Sequence, residues 1–268
     1  MQVALAGNTQ GIIVSSKVGV PESELGNVAG LVERSMNASL KRLGLDHVDL
    51  FQLHNTIGEA DRHGMLTAAQ VLEEVVPAFE KLKDAGKTRY LGLTAKGDTE
   101  QLHQLVQCNA FDSAQVFYNL LVPSAGEPAQ EGYPAEDFSQ LLRVCADNGV
   151  GAIGVRVLAG GALSGIEDRH PLGMPNVQPI GSPTDYATDV KRALRFSPLI
   201  DEGFAESLPE LAVRYAISNP DLPTTEIGIA TIEQLQIAAK AVNRGSLNTE
   251  ALARVKSVQA EFATSRMS

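Results

Sequence analysis

Short apolar segments alternate with longer amphipathic segments along most of the chain. The apolar segments are rich in Val, Ile and Leu, a composition that favours short buried β-strands. Strands are predicted at 11–17, 47–54, 88–95, 112–121, 150–157 and 224–230. The amphipathic segments have the helical spacing of apolar residues and predict helices at 23–44, 68–86, 98–108, 134–149, 207–220, 231–242 and 247–264.

Some helix boundaries carry their own local signals. Ser23 and Asp98 are predicted N-caps, and Gly44 is a predicted stop for the first helix. Pro77 lies inside the segment at 68–86, where its missing N–H predicts a kink or a restart of the helix.

Strands that alternate with helices predict a parallel sheet with the helices outside it. Two folds have this alternation, the TIM-type (β/α)8 barrel and the doubly wound sheet. No predicted strand is followed by the G-x-G-x-x-G turn of a Rossmann domain, which favours the barrel. A complete barrel of this type has about eight strands, whereas we predict six, in a single incomplete barrel domain over residues 1–268.

The segment at 164–206 is the least regular part of the chain. Its core, HPLGMPNVQPIGSP at 170–183, is interrupted repeatedly by proline and glycine. A long irregular insertion after a strand is typical of an active-site loop, and we expect this segment to be one.

Composition and charge exclude several classes of protein. The net charge of −10 and the spread of acidic residues argue against a nucleic-acid partner, which would require clustered Lys and Arg. No apolar run is long enough to predict a membrane span, and no signal peptide is visible. Cys108 and Cys145 have no metal-ligand or disulfide spacing. The expected compartment is therefore the cytoplasm.

Polar residues stand where the predicted strands end. Lys17 ends the first strand and His54 ends the second. Chemistry in a barrel gathers at the carboxyl ends of its strands, so this lysine and histidine could form a proton-handling pair. A lysine at a strand end is also commonly just exposed to solvent, and spacing alone does not separate the two interpretations.

The chain resembles the aldo-keto reductases in five successive motifs. Their order and spacing agree across nearly the whole chain. Within the family, the motifs are most similar to those of the bacterial sugar- or aldose-dehydrogenase branch. The motifs are SLKRLGLDHVDLFQLH (39–54), AFEKLKDAGKTRYLGLT (78–94), AQVFYNLL (114–121), NGVGAIGVRVLAGGALSG (148–165) and LPELAVRYAISNP followed by EIGIATIEQL.

This resemblance implies a barrel that transfers a hydride between NAD(P)(H) and a small carbonyl or sugar substrate. It also implies a catalytic Asp, Tyr, Lys and His, of which Lys17 and His54 match the last two. The lysine would lower the pKa of the tyrosine, because an ammonium favours a nearby phenolate. In the family the Asp and Tyr precede the Lys, and residues 1–16 contain neither. The first two βα units of the barrel are missing from the predicted elements.

The resemblance also identifies coenzyme-binding positions. Thr94 and Gln115 match residues that hold the nicotinamide carboxamide, and Ala95 and Val155 stand where the family has an Asn and a stacking aromatic residue. Leu158 and Gly160 match the loop over the pyrophosphate, although the same glycines could form a plain turn. Residues matching the adenosine-end motif are Gly228, Thr231 and Gln234.

The cofactor is expected to be NADP(H) or NAD(H). Gln234 replaces the arginine that usually grips a 2′-phosphate, and Ala238 replaces the closing Asn, which leaves NAD as an alternative. Arg156 could compensate as an anion contact or could form a structural salt bridge.

Two functions from different classes remain open. One is an aldo-keto reductase whose true start lies upstream of Met1, since ALAG at 4–7 resembles the end of the family's second helix. The other is a truncated, catalytically inactive protein of reductase type with a binding or regulatory role. The oligomeric state, the particular substrate and the direction of reaction are left open.

Overall fold

The computed structural model describes residues 9–59 and 64–264 of the chain. The resemblance seen at 4–7 therefore lies outside the described residues. The strands are β1 Ser15–Val18, β2 Val48–Leu53, β3 Thr56–Ile57, β4 Met65–Leu66, β5 Thr88–Ala95, β6 Ser113–Phe117, β7 Gly151–Val155 and β8 Thr224–Thr225. The α-helices are α1 Val28–Leu43, α2 Ala68–Gln70, α3 Val76–Asp84, α4 Thr99–Gln107, α5 Leu141–Asp147, α6 Tyr186–Leu194, α7 Pro198–Asp201, α8 Leu208–Ala216, α9 Ile232–Arg244 and α10 Thr249–Thr264.

Six of these strands form one sheet in the order β1-β2-β5-β6-β7-β8, which follows the order of the chain. β1 pairs with β2, β2 with β5, and β7 with β8, each in parallel. A separate two-stranded sheet joins β3 to β4. Parallel neighbours joined through helices are the arrangement that the alternating pattern predicts, so the prediction of an α/β fold with six parallel strands is confirmed.

The described chain divides into two compact units. The first comprises Met1–Gln115 with Val144–Gly151, and the second comprises Val116–Arg143 with Ala152–Ser268. Whether the chain behaves as the predicted single domain stays a prediction.

In the first unit, β2 is buried along its whole length. Phe51 of β2 packs against Phe79 of α3, with 5.1 Å between ring centroids. Asp49 is the buried charge on this strand, and it accepts a hydrogen bond from the backbone N–H of Val14 at 2.7 Å and pairs with Arg89. Continuous burial of a parallel strand explains why its sequence does not alternate between apolar and polar residues.

The predicted start of the first helix is wrong. Glu22–Glu24 form a separate 3₁₀ turn, and α1 begins after Asn27 rather than after Ser23. Gly26 and Asn27 are poor formers of a helix interior and separate the two elements. The predicted stop is confirmed, because Gly44 adopts φ of 69° and its N–H bonds to the Leu40 carbonyl.

Two longer segments also differ from their predictions. The helix predicted at 134–149 is reduced to Leu141–Asp147, because Ser139 and Gln140 adopt positive φ angles. Just before them, the Ser124 hydroxyl accepts the Phe138 N–H at 3.1 Å. The segment at 164–206, predicted to be irregular, contains the helices α6 and α7.

Pro77 acts as its position predicts. The helical segment begins at Ala68, passes through a π-helical turn at Val71–Val75, and restarts as α3 with Pro77 in its first turn. A proline is tolerated there because the first-turn N–H groups have no helical partner.

The loops that follow the strands of the first unit are tied together. Asn55, just after β2, accepts the Val20 N–H and donates to the Val20 carbonyl, both at 2.8 Å. Gly97, just after β5, bridges to Ile57 with φ of 123°. A Cβ atom at Gly97 would lie 1.8 Å from the Ile57 carbonyl oxygen. These contacts fix the segments from which the strand-end side chains project.

Replacing Gly97 by alanine is expected to destabilise the protein by about 3 kcal/mol, because backbone must move and φ is unfavourable. The control is Gly86→Ala, which also has positive φ but has open space around its Cβ position. The free energy of unfolding of that control should fall by only about 1 kcal/mol. Urea unfolding of both variants measures the difference, and equal losses would contradict the close approach.

The second unit contains a buried ion pair between Arg192 and Asp189 of α6, at 3.2 Å, with both side chains at most 3% exposed. Ser182 and Thr184 donate hydrogen bonds to the same Asp189 oxygen, at 2.7 and 2.8 Å. Arg192 also donates to the Leu121 carbonyl and lies over the ring of Phe262. The network attaches the 180s loop to the rest of the unit.

Among the helices in the described ranges, none has the length and apolarity needed to cross a membrane. Within those same ranges, no cluster of His, Cys, Asp and Glu is arranged to hold a metal ion.

Candidate active site

Four polar side chains of the first unit form one hydrogen-bonded row, three from at or near strand ends and one from the middle of a strand. Lys17 Nζ donates to Gln115 Oε1 at 2.6 Å, and Thr94 Oγ1 donates to the same oxygen at 3.1 Å. His54 Nδ1 lies 3.0 Å from Thr94 Oγ1. The structure therefore brings together four residues that the sequence and the resemblance had named separately.

Strand geometry explains why these residues meet. Lys17 lies near the end of β1, His54 directly follows β2, and Thr94 lies near the end of β5. Because the strands are parallel, their carboxyl ends share one edge of the sheet. Gln115 lies in the middle of β6 and reaches the row through its longer side chain.

Burial within the row is uneven. Thr94 and Gln115 are 4% and 1% exposed, whereas His54 is exposed and Lys17 is half-buried. Partial burial, together with the positive charges of Lys17 and Lys96, lowers the pKa of His54. His54 is therefore predominantly the neutral imidazole near neutral pH.

A second group of residues lies in the loop after β7, within the second unit. Arg169 Nη1 donates to the Gly160 carbonyl at 2.9 Å, and Arg156 Nη1 would lie 2.9 Å from a Cβ atom at Gly160. Burial and the charge of Arg169 lower the pKa of Arg156. In the described residues neither guanidinium is paired with a carboxylate. Two arginines around one glycine thus leave a local excess of positive charge.

The backbone of this loop is unusual. Arg156 and Ala159 adopt φ of 57° and 49°, and Gly160 and Gly161 are also positive. Asn119 supports the turn by donating to the Arg156 carbonyl at 3.0 Å. Non-glycine residues with positive φ persist only where surrounding contacts hold them, and they concentrate at ligand sites. The alternative of a structural salt bridge for Arg156 is not seen within the described ranges.

The predicted adenosine end lies at the start of α9. Thr231 is the N-cap and accepts the Gln234 N–H at 3.3 Å, and the Gln234 side chain accepts the N–H of the preceding residue, Ala230, at 2.7 Å. Gly228 is exposed and follows β8 rather than lying within it, since the strand ends at Thr225 instead of the predicted 230. These contacts give Thr231 and Gln234 a structural role and leave their ligand role a prediction.

Tyr118 is unsuited to act as the tyrosine proton donor that the resemblance implies. It is 2% exposed and its ring stacks on that of Tyr215, with 5.1 Å between centroids. Burial raises the pKa of Tyr118 to about 12. An activated phenol would have a lowered pKa, so Tyr118 belongs to the core of the second unit.

The residues fit a dinucleotide in part. In the second unit, the guanidiniums of Arg156 and Arg169 have no carboxylate partner among the described residues and lie around glycines with no Cβ, an arrangement that suits an anionic diphosphate. In the first unit, Gln115 fits the nicotinamide carboxamide less well. Its oxygen already accepts hydrogen bonds from Lys17 and Thr94 and would have to share or exchange them to bind the carboxamide. Arg169 was missed by sequence reasoning, since it lies in an irregular loop without a motif. Its proximity in sequence to Gly160 was the available signal.

Comparisons with known proteins give one family. The model of the aldo/keto reductase family matches residues 2–260. Among curated proteins, the chain is 25% identical over 237 residues to the L-galactose dehydrogenase of Arabidopsis thaliana. It is 27% identical over 236 residues to a putative voltage-gated potassium channel subunit beta of Schizosaccharomyces pombe.

These alignments cover 86% and 82% of the chain but only 63% and 62% of the two relatives, so the chain spans less than two thirds of their length. Among solved structures, the holo form of an aldo-keto reductase from Bacillus halodurans superimposes with a TM-score of 0.65 at 23% identity. That superposition covers 96% of this chain and 75% of the other. It confirms the predicted TIM-barrel type of fold. With the match of the family model over nearly its whole length, the chain belongs to the aldo/keto reductase family.

Proposed function

We propose that this chain carries out NAD(P)(H)-dependent interconversion of a small alcohol or sugar and its carbonyl product. The observation that carries the proposal is the hydrogen-bonded row that joins Lys17, Gln115, Thr94 and His54. Its family is one of oxidoreductases. The site uses no metal ion in this proposal.

Lys17 and His54 are the proposed catalytic residues. The ammonium of Lys17 stabilises negative charge that develops on a substrate oxygen, and the exposed imidazole of His54 binds that oxygen. Thr94 and Gln115 hold these two groups in place and are also the proposed contacts of the coenzyme carboxamide.

The proposed coenzyme contacts in the second unit are the loop after β7 and the start of α9. The first group comprises Arg156, Leu158 and Gly160, to which the structure adds Arg169 as a neighbour of Gly160. The second group comprises Gly228, Thr231 and Gln234. When bound, NAD(P)+ supplies the hydride acceptor, and NAD(P)H supplies the hydride. Both NADP(H) and NAD(H) are candidates, because Gln234 offers no positive charge to a 2′-phosphate.

An aldose is the proposed substrate class, and the similarity to an L-galactose dehydrogenase supports it. A single domain, a cytoplasmic location and a small-molecule partner remain parts of the proposal.

The alternative is a catalytically inactive protein that binds coenzyme or a regulatory partner. It is favoured by the burial of Tyr118, whose raised pKa makes it a poor proton donor for a bound substrate. The similarity to a protein named as a putative voltage-gated potassium channel subunit beta also supports this alternative.

Coenzyme-linked turnover by the purified 268-residue chain tests the proposal. The chain is mixed with NAD+ or NADP+ and aldoses that include L-galactose, and nicotinamide absorbance is followed alongside coenzyme binding. Turnover that is lost in Lys17→Met supports the enzyme. Coenzyme binding without turnover supports the inactive alternative, and the absence of both would contradict each of them.

Replacing Arg156 or Arg169 by glutamine is expected to weaken NAD(P)H binding about tenfold each, because one charge-assisted contact to phosphate is lost. Fluorescence titration with NADH and NADPH measures the dissociation constants. Arg195→Gln is the matched control, since its guanidinium pairs with Glu261 on the surface. A change in the control as large as in either variant would contradict a specific anion site.

A further inference from the structure

The amide orientation of Gln115 is fixed by Lys17. The distance from Lys17 Nζ to Gln115 Oε1 is 2.6 Å. A lysine amino group at neutral pH only donates, so the reverse amide orientation would place two donors against each other. The oxygen of Gln115 therefore faces Lys17, and it also lies 3.1 Å from Thr94 Oγ1.

The orientation of Gln115 determines the direction of the Thr94 hydroxyl. A hydroxyl has one proton and two acceptor lone pairs. Since Gln115 presents an oxygen, Thr94 gives its proton to that oxygen and has only lone pairs left for His54. The contact at 3.0 Å between Thr94 Oγ1 and His54 Nδ1 must then be donated by the imidazole.

The row consequently selects one tautomer of neutral His54. With its proton on Nδ1, the imidazole leaves an unprotonated Nε2, and the side chain is exposed. An unprotonated ring nitrogen accepts hydrogen bonds and cannot donate one to a carbonyl oxygen.

We propose that Thr94 and Gln115 are positioning residues that hold neutral His54 in its Nδ1–H tautomer, so that its Nε2 receives the hydroxyl of an alcohol or of a cyclic aldose. The substrate form recognised at neutral pH is thus the hydroxyl compound. This inference rests on the proposed function for the identity of the substrate, whereas the tautomer follows from the hydrogen bonds alone.

The chemical step balances with the coenzyme class already proposed. The hydroxyl proton would pass to His54 Nε2 as the C–O single bond becomes C=O, and NAD(P)+, when bound, would supply the acceptor for the carbinol hydrogen as hydride. The products are the carbonyl compound or lactone, NAD(P)H and imidazolium, which releases its proton to solvent.

Acidification makes His54 favour the carbonyl form of the substrate over the hydroxyl form. Protonated His54 donates from both ring nitrogens and can then bind a carbonyl oxygen. The charged groups that face His54 are Lys17 and Lys96, and both oppose its protonation. The carbonyl form therefore requires a pH below the ordinary range of histidine titration.

The test is nuclear magnetic resonance of the whole chain with ¹⁵N- and ¹³C-labelled histidine, because ring shifts distinguish the two neutral tautomers without any turnover. The His54 signals are identified by their loss in His54→Gln, and exposed His47 serves as the internal reference. The expected result is a dominant Nδ1–H tautomer at His54. A dominant Nε2–H tautomer would overturn the inference.

Two variants separate positioning from general structure. Thr94→Val removes the acceptor while keeping side-chain volume, so the Nδ1–H population of His54 should fall at least several-fold. Thr94→Ser retains the hydroxyl and should keep the wild-type tautomer. Unchanged tautomers in a folded Thr94→Val variant would overturn the role of Thr94, and if that variant does not fold, the wild-type spectrum alone decides. If His54 has the expected tautomer but the chain shows no turnover, that result would count against the proposed function and not against the tautomer inference.

Discussion

Removing the Asp189 carboxylate should cost the protein about 3–5 kcal/mol of unfolding free energy, because Arg192 is left as an unpaired buried charge. Arg192 is 2% exposed, and its remaining contacts among the described residues include the Ser182 hydroxyl, the Leu121 carbonyl, Tyr133 and the ring of Phe262. None of these neutralises the guanidinium. Urea unfolding of Asp189→Ala against the unchanged chain measures the loss.

The matched control removes a carboxylate from an exposed ion pair. Glu261 pairs with Arg195, and both side chains are more than half exposed. Glu261→Ala should change stability by no more than about 1 kcal/mol. The double variant Asp189→Leu/Arg192→Met should recover much of the loss, since replacing both charges removes the unpaired one. Equal losses in Asp189→Ala and Glu261→Ala would show that the buried network does not stabilise the second unit.

Replacing His54 by alanine should lower turnover about 10²–10⁴-fold, the usual contribution of a positioned proton-transfer group. Coenzyme affinity should stay within about twofold, because His54 is proposed to contact the substrate oxygen. Steady-state kinetics and a separate coenzyme titration measure the two quantities.

His47 provides the control from the same strand segment. It is exposed and lies before β2, whereas His54 lies after it, so the two histidines flank opposite ends of one strand. His47→Ala should retain full turnover. If His54→Ala also retained it, His54 would have no part in the reaction and the row would be only structural.

The fold was largely predictable because its strands and helices are strongly patterned. Residues 88–95 were predicted and observed as a strand, and Asp98 caps the next helix as expected by accepting the Gln101 N–H. The secondary-structure predictions fail where a contact with a residue distant in sequence overrides the local helix or strand propensity. One example is the Ser124 hydroxyl, which accepts the Phe138 N–H. No residue at 134–140 indicates this hydrogen bond in the sequence.

The sequence predicts which residues form the candidate site but does not predict the hydrogen bonds that join them. Lys17 and His54 could be found because they end successive strands, and Thr94 and Gln115 followed from the resemblance. The hydrogen bonds among them depend on side-chain reach across four neighbouring strands, which sequence spacing does not encode. Arg169 could not be assigned because its position beside Gly160 depends on the path of an irregular loop.

Transfer of deuterium is the most direct test of the central claim that this chain catalyses hydride exchange with a nicotinamide. The purified 268-residue chain is incubated with NAD+ or NADP+ and an aldose labelled with deuterium at C1, and mass spectrometry follows the label. Deuterium is expected on the reduced nicotinamide ring with the unchanged chain, and this transfer should be lost in His54→Ala. A chain that binds the coenzyme but leaves all the deuterium on every aldose tested would contradict the claim and favour the inactive binding protein.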